Sequence, residues 1–157
     1  MTKIAIVTDS TPCLTPELVT RHNIHIVPLK VQWGDQTLLD GIDITPAEFY
    51  TRLEHAKSLP TTSQPSPQDF RKLFDQLTPD YDGMLVILIS SGISGTVASA
   101  QSAASEYSAR PVEVIDTRLA AGAQAMVVLA AARAVEGGAS LEEAAGIVRR
   151  AIENMHV

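Results

Sequence analysis

The chain has 157 residues, 45% of them hydrophobic and 19% charged, which suits one folded domain with a sizeable core and excludes disordered and fibrous classes. A net charge of −6 (12 basic against 18 acidic residues) and an aromatic content of 4% argue against a phosphate-backbone partner and against base-stacking platforms, so nucleic acid is not an expected ligand. The sole cysteine, Cys13, has no partner for an internal disulfide and no neighbouring Cys or His at zinc-ligand spacing. The N-terminus carries only a short apolar run, Ile4 to Val7, before Thr8 and Asp9, which is not the pattern of a signal peptide. The longest apolar stretch, Leu119 to Ala132, contains Gln124 and is too short to span a bilayer. A cytoplasmic protein without stable membrane insertion is the expectation.

In chain order, Lys3 to Thr8 reads as a buried strand ending in Asp9-Ser10-Thr11. Thr15-Pro16-Glu17 supplies an N-cap, a first-turn proline and a first-turn acid for a short helix to about His22. His25 to Trp33 reads as one strand, and Gly34-Asp35 turns it into Gln36 to Asp40, a hairpin appended to the sheet. Thr45-x-x-Glu48 is a capping box opening a helix to about Lys57. Ser58 to Pro67 holds three prolines and five hydroxyl residues in ten positions and is expected to be a structured loop. Ser66-Pro67 starts the next helix, with Phe70, Leu73, Phe74 and Leu77 as its core face. Met84 to Ile89 is a continuous apolar run after the turn Asp80 to Gly83, the mark of a buried parallel strand. A helix is expected from about Ser94 to Ser108, and a strand from Pro111 to Asp116. Leu119 to Val135 reads as a long helix buried on two sides and closed by Gly137-Gly138. Ser140-x-x-Glu143 is a further capping box opening a helix to about Met155. Strands alternating with helices predict an α/β fold, a three-layer α/β/α arrangement with a mostly parallel sheet and a small appended β-hairpin. The chain ends at Met155-His156-Val157, directly after a helix and where another strand could begin, the pattern expected of a partial chain.

The candidate site is the turn Ser90 to Thr96 (SSGISGT) after the central strand. Small hydroxyl and glycine residues at a strand-to-helix turn leave backbone N–H groups free at the positive end of a helix, which favours an anion. In open α/β sheets the carboxyl ends of strands are where ligands sit. Asp9-Ser10-Thr11, Thr61 to Ser66 and Asp116-Thr117 are expected at or near the same edge. All are rich in short hydroxyl side chains, suited to holding a carboxylate or phosphate without a metal or cofactor. Taken singly, each segment reads as capping and turn chemistry; their joint location at one sheet edge is what points to a site. Gly92-Ile93-Ser94-Gly95-Thr96 also approaches the G-x-S-x-G nucleophile elbow, with Thr96 in place of the last glycine. A serine hydrolase would need a histidine and an acid beside Ser94, but His22, His25 and His55 fall in or beside expected helices and a strand, and His156 lies at the chain end. No Gly-Lys-Ser/Thr follows the strand, which excludes a P-loop.

Together and in this order, IAIVTDST (Ile4 to Thr11), HIVPLKV with its hairpin, TTSQPSP (Thr61 to Pro67), SSGISGTVASA (Ser90 to Ala100) and VIDTR (Val114 to Arg118) resemble the DegV family, the fatty-acid-binding subunits of bacterial fatty acid kinase. The resemblance covers nearly the whole chain but only the N-terminal part of the family's usual length. It implies a carrier, not an enzyme, that buries a long-chain fatty acid and presents its carboxylate to the catalytic subunit of a fatty acid kinase. It further implies that Thr62 and Ser94 hold that carboxylate, helped by the Gly95 and Thr96 amides, with Ser63, Ser91 and Gln64 as second choices. Residues 1–157 would then be the DegV-type N-terminal α/β domain, without the C-terminal domain that contributes a histidine and an arginine to the carboxylate. Burial of the tail at ~0.8 kcal/mol per CH₂ would supply most of the affinity, and the polar end its orientation. The competing expectations are a hydrolase using Ser94 and a small-anion-binding or purely structural fragment.

Overall fold

The computed structural model describes residues 2–155; His156 and Val157, and with them the expected start of a further strand, lie outside them. Its elements run β1 (Ile4–Asp9), α1 (Pro16–Arg21), β2 (Ile24–Val27), β3 (Lys30–Trp33), β4 (Gln36–Leu39), α2 (Pro46–Glu54) and β5 (Thr61–Ser63). The second half continues with α3 (Pro67–Leu77), β6 (Gly83–Leu88), α4 (Thr96–Ser105), β7 (Val112–Asp116), α5 (Ala121–Glu136) and α6 (Leu141–Glu153).

The main sheet has the order β2-β1-β6-β7, parallel throughout. β1 and β6 are buried along their whole length, as their unbroken apolar runs require of strands covered on both faces. The two-residue period of the strands sorts their side chains between two cores. Ile4, Ile6, Leu85 and Ile87 join Val127, Val128, Ala131, Ala144, Ala145 and Val148 of α5 and α6 on one face. Ala5, Val7, Met84, Val86 and Leu88 join Phe70, Phe74, Val97 and Ala100 of α3 and α4 on the other. The three-layer α/β/α architecture is therefore present, and the carboxyl ends of β1, β6 and β7 emerge along one edge.

The expected single strand from His25 to Trp33 is two strands. Pro28 has no N–H to donate to a ladder, and the chain leaves the main sheet there. The Leu29 amide, next in line, donates to Ser10 Oγ at 3.1 Å instead. β3 then pairs antiparallel with β4 as the expected hairpin and, on its other side, with β5. The Ser58–Pro67 stretch thus contains a short strand and is not loop throughout. Val31 and Trp33 of β3 pack with Ile44 and with Phe49 and Leu53 of α2 in a third, small core, and the Arg52 guanidinium lies 4.3 Å from the centre of the Trp33 ring.

The capping boxes form as spaced: Thr45 with Glu48, Ser66 with Asp69 and Ser140 with Glu143 each exchange hydroxyl and carboxylate bonds with backbone amides. α5 departs from expectation, because it buries one face and not two. Gln124, Val127, Val128, Ala131 and Ala132 point inward, whereas Met126 is 65% exposed; alanine is small enough for either environment, so its abundance does not specify a second buried side.

Candidate functional site

β5 crosses beside the carboxyl edge of the main sheet, and the gap between the two sheets is a cavity of about 510 Å³. Thr62, Ser63 and Gln64 line it from β5 and the residue after it, and Ile93, Ser94 and Gly95 from the turn after β6. Leu29, Val31, Phe49, Tyr50, Pro46 and Ile89 add apolar wall, and Thr11, Cys13 and Asp40 complete it. In the ladder Val31 pairs with Thr62, and Lys30 with Ser63. Paired residues share a face, so Thr62 stands on the apolar face with Val31, while Ser63 stands on the side of Lys30 and Gln32, where Gln32 Nε2 reaches its Oγ at 3.5 Å.

The turn is held by its own backbone. The amides of Ile93 and Ser94 both donate to the Ser90 carbonyl. Ser94 Oγ accepts from the Thr96 amide at 3.3 Å and shares a proton with Thr96 Oγ1 at 2.8 Å. Thr96 is fully buried, so its hydroxyl anchors Ser94 and its N–H is already engaged. Gly95, at the N-cap of α4, has no acceptor for its amide among the described residues and no side chain of its own to cap the helix. A Cβ on Gly95 would stand 2.9 Å from Gln64 Nε2, so a side chain there would push the Gln64 amide aside.

Of the six residues singled out from sequence, Thr62, Ser63, Ser94 and Gly95 come together at this cavity, with Gln64 beside them. Ser91 and Thr96 are not part of its wall: Ser91 donates its amide and hydroxyl to Asp116. Burial acts to raise the Asp116 carboxyl, but the Ser91 hydroxyl and the Arg118 and Ser91 amides outweigh it and hold the group below its ordinary value. Thr117, fully buried, donates to the Leu88 carbonyl and accepts from the Leu119 amide. Asp116-Thr117 therefore ties the end of β7 to the end of β6. Asp9 has the same kind of role for β1, accepting from the Ile89 amide at 2.8 Å.

Ser94 Oγ bonds to Thr96, and no histidine of the described residues lines the cavity. His22 bonds Glu136 at 2.7 Å and His25 bonds Tyr81 at 3.1 Å. Ser94 Oγ thus has Thr96 as its side-chain partner and no histidine of the described residues beside it. Among the described residues no group of three His, Cys, Asp or Glu side chains is placed to hold a metal, and no helix is long and apolar enough to cross a membrane.

Residues that sequence reading did not mark are the apolar wall. Phe49 and Tyr50 sit on a helix with an ordinary amphipathic pattern, and Val31 and Leu29 read simply as strand. Cys13, at φ +52°, also borders a neighbouring, mainly apolar cavity of about 530 Å³ lined by Leu14, Val19, Ile26 and Ile42. Burial, with Asp40 and Asp9 nearby, pushes its thiol up from the ordinary cysteine range, away from nucleophilic use.

Comparison with known proteins places the chain among relatives of one kind. The family model described as "Uncharacterised protein, DegV family" matches residues 3–157. A DegV domain-containing protein of Caldanaerobacter subterraneus subsp. tengcongensis is 39% identical over 152 residues, covering 97% of this chain and 54% of the relative. A solved fatty-acid-binding DegV family protein from Thermus thermophilus is 38% identical with a TM-score of 0.87, over 96% of this chain and 54% of its own. The structure of DegV, a fatty acid binding protein from Bacillus subtilis, is 34% identical with a TM-score of 0.89, over 98% of this chain and 54% of its own. The chain thus spans about half the length of the relatives it matches.

Proposed function

The chain belongs to the DegV family, and we propose that it is a carrier for a long-chain fatty acid, residues 1–157 forming the N-terminal α/β domain of that carrier. The observation that carries this reading is the mixed lining of the cavity. Thr62, Ser94 and Gly95 border it together with Leu29, Val31, Phe49, Tyr50 and Ile93, a wall without hydrogen-bonding side chains, Tyr50 apart. Short neutral donors beside the N-terminus of α4 suit the head group, and the apolar wall suits a hydrocarbon tail. Thr62 and Ser94 hold the carboxyl end, Gly95 donates to it, Thr96 fixes the Ser94 rotamer, and Ser63, Gln64 and Ser91 shape the surroundings.

A bound fatty acid is then presented, head group outward, to the catalytic subunit of a fatty acid kinase in the cytoplasm, which phosphorylates its carboxyl group. This role asks for binding and positioning only, in keeping with a Ser94 that has no histidine of the described residues beside it. Displacement of a fluorescent fatty acid from the purified protein tests the reading. Hexadecanoic acid should displace it from the wild type, and Thr62→Ala and Ser94→Ala should each weaken that by roughly fivefold, about one net hydrogen bond. Unchanged affinity in both variants would remove these residues from the head-group site.

A further inference from the structure

One buried polar cluster lies directly behind the cavity, at the carboxyl end of β1. Asp9 and Gln124 both have 0% of their surface exposed. Gln124 interrupts the inward stripe of Val127, Val128, Ala131 and Ala132 on α5, and burying an amide there is costly unless its bonds are made.

They are made, and with a fixed direction. Asp9 Oδ2 accepts from the Ile89 amide at 2.8 Å and from Gln124 Nε2 at 3.2 Å. A carboxylate only accepts, so the amide nitrogen of Gln124 is the atom that faces it. Thr8 Oγ1 gives its proton to the Ile87 carbonyl at 2.7 Å and is left to accept from the same nitrogen at 3.4 Å. The Gln124 oxygen is thereby turned to Thr11 Oγ1, 2.8 Å away, as one of two acceptors for the hydroxyl proton. The other neighbour of that hydroxyl, Asp9 Oδ1, is also an acceptor. Thr11 has one hydroxyl proton, and both acceptors for it lie on the inner side. What the hydroxyl has left for a further partner is a lone pair, and Thr11 lines the same cavity as Thr62, Ser94 and Gly95.

We propose that Thr11 is a further ligand-contacting residue, an acceptor for a head group that carries an O–H, and that Asp9 and Gln124, the two inward acceptors of its proton, are the positioning residues that fix this polarity. The inference rests on the carrier reading and narrows its ligand. The Gly95 amide donates and Thr11 accepts, a pair complementary to a carboxyl group that keeps its proton, or to a terminal alcohol, and not to an ester.

Competition binding of hexadecanoic acid, hexadecan-1-ol and methyl hexadecanoate tests it in the wild type, Thr11→Val, Thr11→Ser and Gln124→Met. The wild type should favour the alcohol over the ester by about fivefold, one net hydrogen bond. Thr11→Val should bring that ratio to about 1 while Thr11→Ser keeps it. Gln124→Met touches no ligand and leaves Asp9 Oδ1 to take the Thr11 proton, so it should keep the preference while lowering stability. A loss of packing weakens both ligands alike and leaves the ratio where it was, so an unchanged ratio in Thr11→Val, or a ratio of about 1 in Gln124→Met, overturns the proposal. If Gln124→Met does not fold, the two Thr11 variants decide. A wild type that binds alcohol and ester equally overturns the Thr11 assignment with the carrier reading intact, and one that binds none of the three overturns both.

Discussion

Replacing Asp9 with alanine tests the tie that holds the site's edge together. Its carboxylate accepts four bonds, from the amides of Thr11 and Ile89, the Thr11 hydroxyl and Gln124 Nε2. In Asp9→Ala the two donors of half-buried Thr11 can turn to water in the cavity. The other two cannot, because Ile89 is 6% exposed and Gln124 is wholly enclosed. Each sealed donor left without an acceptor costs about 1–3 kcal/mol. Removing a buried carboxylate returns part of that through relieved desolvation, which leaves a net loss of about 3 kcal/mol. With a urea m-value of about 2 kcal/mol/M, the midpoint should fall by about 1.5 M. Asp9→Asn, which keeps one acceptor oxygen, should lose roughly half as much. Equilibrium urea unfolding followed by far-UV circular dichroism reads both. A midpoint shift in Asp9→Ala below about 0.5 M would refute the view that this carboxylate knits β1 to β6 and α5.

Phe74 is fully buried between Phe70 and Tyr107, and Phe74→Ala should cost about 3–5 kcal/mol in the same assay. Burial acts against ionisation of Asp69, but the Lys30 ammonium at 2.8 Å and the Ser66 amide and hydroxyl outweigh it and hold the carboxyl below its ordinary 3.8. A folded value below the unfolded one contributes stability that is complete above about pH 4 and lost as pH falls through the folded value; the fall in stability below pH 4 should be shallower in Asp69→Asn. Gly95→Ala meets only the movable end of Gln64, at a φ of −74° that alanine adopts freely. It should change stability by less than about 1 kcal/mol yet weaken fatty-acid displacement, because the Gln64 amide is pushed aside within the cavity it lines. Ile93, 69% exposed on the cavity wall, should tolerate Ile93→Ser without loss of stability while acyl affinity falls in proportion to tail length.

Much of this layout is legible in the residues because local and tertiary demands coincide. The runs Ile4–Val7 and Met84–Ile89 can only be strands covered on both faces, and the Thr45, Ser66 and Ser140 boxes state where three helices begin. The rest depended on partners distant in the chain. Pro28 signals a break, but that β3 belongs to a second sheet follows from its pairing with β5, a three-residue strand with no hydrophobic pattern of its own. Thr62 and Ser94 are visible as hydroxyls at expected loop positions; that they face one cavity follows from the Val31–Thr62 register and from Gly95 admitting Gln64. Gln124 is the clearest missed signal. A polar residue in an otherwise apolar helix reads from sequence as an interruption, and only the fold shows Asp9 and Thr11 waiting opposite it.

The most direct test of the central claim is lipid extraction and mass spectrometry on this protein purified from a bacterial host, beside a Thr62→Ala/Ser94→Ala version. A carrier predicts a near-stoichiometric long-chain fatty acid in the first and much less in the second. No fatty acid in the wild-type extract, or equal amounts in both, would contradict a fatty-acid carrier whose head-group site is Thr62 and Ser94.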